Sequence, residues 1–154
     1  MAREAHVADF TREEIEAHWK IWRDLVDRRD LDGMAERFTE DARGGNAVLG
    51  ICEGREAIAK WTREEWPESV PNRGVWTAID GNRVVHKWRE TLPGTPPEGA
   101  EPYDYFGISE FIYAGDGKWS FMYGLPDVYG LQQVYARWKA DGQAEIHGDV
   151  YPYM

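Results

Sequence analysis

Cysteine is nearly absent from this chain. Cys52 stands alone among 154 residues, which excludes an intrachain disulfide and any zinc cluster built from cysteines. Basic residues are also short, 18 Lys and Arg against 28 Asp and Glu, for a formal net charge of −10. A nucleic-acid backbone requires a basic stripe, and an anionic membrane surface requires basic residues, so neither is an expected partner. No run approaches the roughly 18 apolar residues of a membrane span. The segment Met1 to Glu14 is charged and lacks the apolar stretch of a signal peptide, so a cytoplasmic location is expected. Internal repeats and low-complexity tracts are missing too.

What the chain has is aromatic residues, 14% of the total, with eight Trp and eight Tyr. Such walls suit flat apolar ligands, and they also suit interfaces. The length fits one domain with a real core.

Thr11-Arg12-Glu13-Glu14 carries the capping-box pattern, with Thr11 as N-cap. Behind it Ile15, Trp19, Trp22, Leu25 and Val26 recur at helical spacing to about Asp27. A shorter helix is expected from Asp30 through Met34 and Phe38. An irregular Gly44-Gly45-Asn46 stretch and a short apolar piece from Ala47 to Ile51 follow. A third helix is expected from Gly54 to about Glu68, ended by Pro71 and Asn72-Arg73-Gly74. Strands are expected over Val75 to Ile79, Arg83 to Leu92, Tyr103 to Tyr113 and Lys118 to Leu125, with tight turns at Asp80-Gly81-Asn82 and Ala114-Gly115-Asp116-Gly117. Asp127 can cap a closing helix from Val128 to Ala140. Helices followed by antiparallel strands read as α+β, a curved sheet wrapped around helices with a natural mouth for a small molecule. The expected division is an N-terminal extension over residues 1–10, a domain over 11–140, and a tail over 141–154 containing Tyr151-Pro152-Tyr153.

One strand is chemically informative. Side chains alternate faces, so Val84, His86, Trp88 and Glu90 share one side, and Val85, Lys87, Arg89 and Thr91 the other. Lys and Arg are rarely buried without a partner, which makes the Lys87 and Arg89 side the wetter one. His86 and Glu90 then face inward on either side of Trp88. Ionisable groups beside apolar walls acquire shifted pKa values and are candidates for acid–base chemistry.

Asp30-Leu31-Asp32-Gly33, Phe38-Thr39-Glu40-Asp41-Ala42, Gly54-Arg55-Glu56-Ala57-Ile58, Gly81-Asn82-Arg83-Val84-Val85 and Tyr113-Ala114-Gly115-Asp116-Gly117-Lys118-Trp119, in this order, resemble the nuclear transport factor 2-like superfamily. The likeness is to its SnoaL-like branch, over roughly Phe10 to Trp138. The resemblance implies a cone: a strongly bent antiparallel sheet around a long N-terminal helix, enclosing a deep apolar pocket. Members include ketosteroid isomerase, scytalone dehydratase, limonene epoxide hydrolase and polyketide cyclases, which work without a redox cofactor. Carried over by position, the isomerase's oxyanion tyrosine falls at Trp22, its base at Asn46 and its protonated aspartate at Ser109. The epoxide hydrolase's water-holding asparagine falls at Asn46 and one aspartate at Glu90. Its arginine falls at Trp88 and its second aspartate near Gly124. Both alignments point His86, Trp88 and Glu90 into the pocket.

His86 and Glu90 are accordingly the expected catalytic pair, His86 because its unperturbed pKa lies near neutrality. Asn46, Trp22, Trp88, Tyr105, Ser109, Phe111 and Met122 are the expected substrate contacts, with Tyr105 or Ser109 able to donate to an oxyanion. No metal-ligand spacing, phosphate loop or dinucleotide fingerprint occurs, and no cofactor is expected. The expected activity is that of a lyase acting on a small, apolar, aromatic or polycyclic substrate, by elimination, dehydration or retro-aldol cleavage. Isomerase, polyketide cyclase and epoxide hydrolase activities of the same fold are the alternatives, and a non-catalytic ligand-binding or dimerisation module is another. Trp119, Phe121 and Tyr123 alternate on the last strand, and the resemblance implies that they face away from the cone, so a homodimer or higher homo-oligomer is expected.

Overall fold

A computed structural model of the chain describes residues 10–151. Of the N-terminal extension only Phe10 lies within them, and Tyr153 of the tail lies outside. Helix α1 (Arg12–Asp27) starts where expected, with Thr11 Oγ1 accepting from the Glu14 N–H at 3.1 Å. It buries Ile15, Trp19, Trp22, Leu25 and Val26, the stripe expected from their spacing. Asp30 caps α2 (Leu31–Ala35) through the Gly33 N–H at 2.9 Å. That helix is shorter than expected. Phe38 opens strand β1 (Phe38–Asn46) instead, pairing with Trp119 and meeting Trp22 edge-on at 5.4 Å between ring centroids.

The glycine stretch is not irregular. Gly44, Gly45 and Asn46 pair in register with Cys52, Ile51 and Gly50 of β2 (Gly50–Glu53), forming a hairpin. A Cβ on Gly44 would sit 3.0 Å from Ile58 of α3 (Arg55–Glu65), so the missing side chain lets that helix lie close on the strand. Strands β3 (Asn72–Asp80), β4 (Arg83–Thr91), β5 (Asp104–Gly115) and β6 (Lys118–Pro126) complete a six-stranded sheet of order β2-β1-β6-β5-β4-β3. Every neighbouring pair is antiparallel except β1 and β6, which run parallel. The sheet is bent and unclosed around α1. Asp127 caps α4 (Val128–Ala140) by accepting from Gly130 N–H at 2.9 Å, and the tail adds a short α5 (Gln143–His147).

The parity of β6 differs from expectation. Tyr113 pairs with Trp119 while Ile112 pairs with Phe121, so one extra residue bulges between Trp119 and Phe121. The bulge turns Trp119 inward, where it is fully buried against Trp19, Phe111 and Tyr113. Phe121 and Tyr123 remain on the outer face, stacked on each other at 6.2 Å.

Two packed clusters result. One joins α1, Phe38, Ile58, Val84, Phe111, Tyr113 and Trp119. The other joins Trp88, Tyr103, Tyr105, Leu131, Tyr135, Trp138 and Tyr151. A cavity of about 190 Å³ touches both.

Candidate active site

Strand β4 runs down the middle of this cavity wall, and its register decides what each inward side chain meets. His86 lies between Thr77 and Ser109, Trp88 between Gly74 and Gly107, and Glu90 between Asn72 and Tyr105. The expected parity holds: His86 and Trp88 are buried, while Lys87 and Arg89 lie on the outer face, where Lys87 Nζ sits over the Phe106 ring and Arg89 approaches Asp104.

The two glycines flanking Trp88 make room for two rings, Gly107 for the Trp88 indole and Gly74 for the His86 imidazole. A Cβ on Gly107 would fall 2.1 Å from Trp88 Cζ2, and one on Gly74 would fall 2.9 Å from His86 Cε1. The indole N–H donates to Ser109 Oγ at 2.9 Å, which fixes the ring's orientation.

Glu90 is held from both neighbouring strands. The Asn72 amide donates to Oε1 at 3.0 Å, and the Tyr105 hydroxyl donates to Oε2. Asn72 is itself gripped by Arg23 of α1, whose guanidinium donates to the Asn72 side-chain oxygen at 3.0 Å and to its backbone carbonyl at 3.2 Å. On the other side the Tyr105 hydroxyl meets that of Tyr151, from the tail. A polar chain thus runs Arg23, Asn72, Glu90, Tyr105, Tyr151 through otherwise apolar walls. Burial pushes the Glu90 carboxyl above its usual range; the bonds from Tyr105 and Asn72 and the charge of Arg29 only partly oppose this. Burial, then the charge of Glu90 and the neighbouring Tyr151, push the Tyr105 phenol well above its usual value.

His86 lies deeper. Thr77 Oγ1 accepts from the Trp19 indole at 3.2 Å and shares a hydrogen bond with His86 Nδ1 at 3.0 Å. Among the described residues His86 Nε2 has no hydrogen-bond partner, though it is buried. Burial and the positive charge of Arg23 push its pKa down to about 4, against an opposing pull from the Trp76 backbone. A ring with so low a pKa carries no charge at neutral pH and offers the cavity a hydrogen bond.

The remaining expected contacts all line the cavity. Trp22 and Phe111 meet edge-on at 5.2 Å on its wall, and Met122 of β6 pairs with Phe111. Asn46 lines it too, but its side-chain oxygen accepts from the Val48 and Leu49 N–H groups at 2.9 and 2.8 Å, a turn-forming role. Arg23, Asn72, Thr77 and Tyr151 were not expected from sequence. Asn72 reads as a helix-ending turn residue, and Tyr151 lies in a segment without periodicity. The glycines inside β3 and β5 were a usable signal, since glycine within a strand marks a close approach. Among the described residues no three His, Cys, Asp or Glu side chains gather into a metal site.

The family of the SnoaL-like domain matches residues 19–122. The chain belongs to the SnoaL-like family, within the nuclear transport factor 2-like superfamily. No curated protein matches its sequence. Among solved structures it is similar to an epoxide hydrolase of the limonene-epoxide-hydrolase-like type from M. tuberculosis, at 16% identity and a TM-score of 0.65 over 89% of this chain and 98% of that one. A candidate ketosteroid isomerase from Kribbella flavida shares 19% identity over 74% and 78%, with a TM-score of 0.60. A candidate polyketide cyclase from Xanthomonas campestris shares 17% identity over 80% and 98%, with a TM-score of 0.63. These likenesses establish the fold, and that fold family is largely enzymatic. No described helix is long and apolar enough to cross a membrane.

Proposed function

We propose that this SnoaL-like protein is a lyase that uses acid–base chemistry on a small, largely apolar, aromatic substrate bearing an oxygen function. The observation that carries this reading is the Glu90 carboxyl, half-buried on the wall of a largely apolar cavity and held by one amide and one phenol. A non-catalytic binding module has no need to bury such a group, because taking a carboxylate out of water is costly. In the cavity a carboxylate of raised pKa is a stronger base than one in water. It removes a proton from a carbon made acidic by a neighbouring carbonyl, or from a hydroxyl in a retro-aldol cleavage. The neutral His86 ring, with Nε2 unengaged, hydrogen-bonds the substrate oxygen, and Trp88, Trp22 and Phe111 hold the aromatic part.

An aryl β-hydroxy ketone tests the reading, since elimination gives an enone and retro-aldol cleavage an aldehyde, separable by chromatography. A β,γ-unsaturated ketone and an aryl epoxide test the isomerase and hydrolase alternatives. The expected result is turnover of the hydroxy ketone, reduced roughly 10²–10⁴-fold by Glu90→Gln or His86→Ala and nearly unchanged by Lys87→Ala. Ligand binding without turnover of any probe would instead make the protein a binding module.

A further inference from the structure

The tail closes the polar chain, and its last described residue does so with a hydroxyl. Tyr151 is 4% exposed and meets Tyr105 edge-on at 6.3 Å and Tyr135 at 5.9 Å. Its backbone N–H donates to Tyr135 Oη at 3.2 Å, and Tyr135 in turn donates to Asp149 at 2.6 Å, so α4 fixes the tail in place. Phenylalanine would fill the same space. The hydroxyl instead reaches that of Tyr105, which reaches Glu90, and all three residues line the cavity.

Each phenol carries one proton, which leaves two directions for the chain. With Glu90 ionised, Tyr105 donates to the carboxylate and accepts from Tyr151. With Glu90 protonated, the acid donates to Tyr105, Tyr105 donates to Tyr151, and the Tyr151 proton is turned away from Tyr105.

We propose that Tyr151 is the general acid of this site, reloaded by Glu90 through Tyr105. The inference rests on the elimination reading above and adds its second proton-transfer group. As the C–H bond breaks, its proton passes to Glu90 and its electron pair moves onto the carbonyl oxygen as an enolate. With Glu90 protonated the chain takes its second direction and the Tyr151 proton turns toward the leaving hydroxyl. The enolate pair then forms the C=C bond, and the C–O bond breaks with its electron pair on oxygen, which takes the Tyr151 proton and leaves as water. Tyr151 then recovers a proton from Tyr105, and Tyr105 from Glu90. All three groups end as they began, with no redox change. The substrate class is a β-hydroxy carbonyl compound.

Two probes test this: an aryl β-hydroxy ketone, whose leaving group needs a proton, and its β-acetoxy counterpart, whose leaving group does not. Tyr151→Phe is expected to slow elimination of the hydroxy probe by about 10²–10⁴-fold and to leave the acetoxy probe within a few-fold. Equal losses on both probes would show that Tyr151 only positions its neighbours, overturning the relay while sparing the elimination reading. Wild-type protein inert toward both probes would overturn that reading and the relay with it. Should Tyr151→Phe fail to fold, as judged by near-ultraviolet circular dichroism, Tyr105→Phe breaks the same chain from within the sheet. It also loosens Glu90 and so slows both probes, but the relay requires a larger loss on the hydroxy probe than on the acetoxy probe, and equal losses would overturn it.

Discussion

At the scale of single residues, Glu90 and His86 are pushed in opposite senses by the same cause. Burial disfavours charge, so the carboxyl's pKa rises and the imidazole's falls, the latter to about 4. The consequence for stability has a definite sign. A carboxyl whose folded pKa is raised contributes stability below its unfolded pKa and loses it as pH rises through the folded value. Glu90→Gln should therefore melt higher than wild type at pH 8, with the gap closing as pH falls below the ordinary carboxylate range. Each kcal/mol of relief is worth about 2–4 °C for a domain of this size. Calorimetry across pH checks this, and a gap that widens toward acid would contradict it. In activity, the acid limb of the pH profile should lie above the ordinary glutamate pKa and vanish with Glu90→Gln. The parity of β4 was legible in sequence from the Lys87 and Arg89 alternation; the partners of Glu90 were not.

At the scale of elements, β4 acts as it does because of what lies beside it. Gly107 sits directly across from Trp88 on β5, and the indole occupies the space a side chain would fill. Gly107→Ala should push the ring from its bond to Ser109 and overpack the wall, at a cost of about 1–3 kcal/mol. A lowered melting temperature with a changed near-ultraviolet tryptophan spectrum is the expected observation, and an unaltered spectrum would refute it. Helix caps at Thr11 and Asp127 were readable because each cap bonds within three residues. Strand β1 was not readable, because its glycines answer to Ile58 and to β2, which only the fold brings near.

At the scale of the whole molecule, the convex face of the sheet is unusually apolar. Trp76, Lys87, Ile108 and Leu125 lie side by side across four strands, with Phe106 beside them. Trp76, Phe106, Ile108 and Leu125 are between 37% and 51% exposed. Phe121 and Tyr123 extend the patch, whereas Trp119, turned inward by the bulge, does not contribute. An apolar face of this kind on a net-acidic protein fits a second copy of the same chain. Light scattering at micromolar concentration should give a dimer mass, and Ile108→Lys with Leu125→Glu should give a folded monomer. A monomeric wild type would remove the proposal.

The sequence by itself determined the elements with local signals and the family. Caps and turns bond within a few residues, and hydrophobic spacing reports which face of a helix is buried. It also determined that His86, Trp88 and Glu90 share a face, because strand alternation needs no knowledge of neighbours. Only the tertiary structure decided what surrounds that face. Asn72, Tyr105 and Tyr151 lie 18, 15 and 61 residues from Glu90 along the chain, and the first two reach it through strand register. Tyr151 arrives through the docking of the tail on α4. A pKa set by burial, a bulge that reverses Trp119 and a hydroxyl delivered by the tail all depend on long-range packing, which no local pattern encodes.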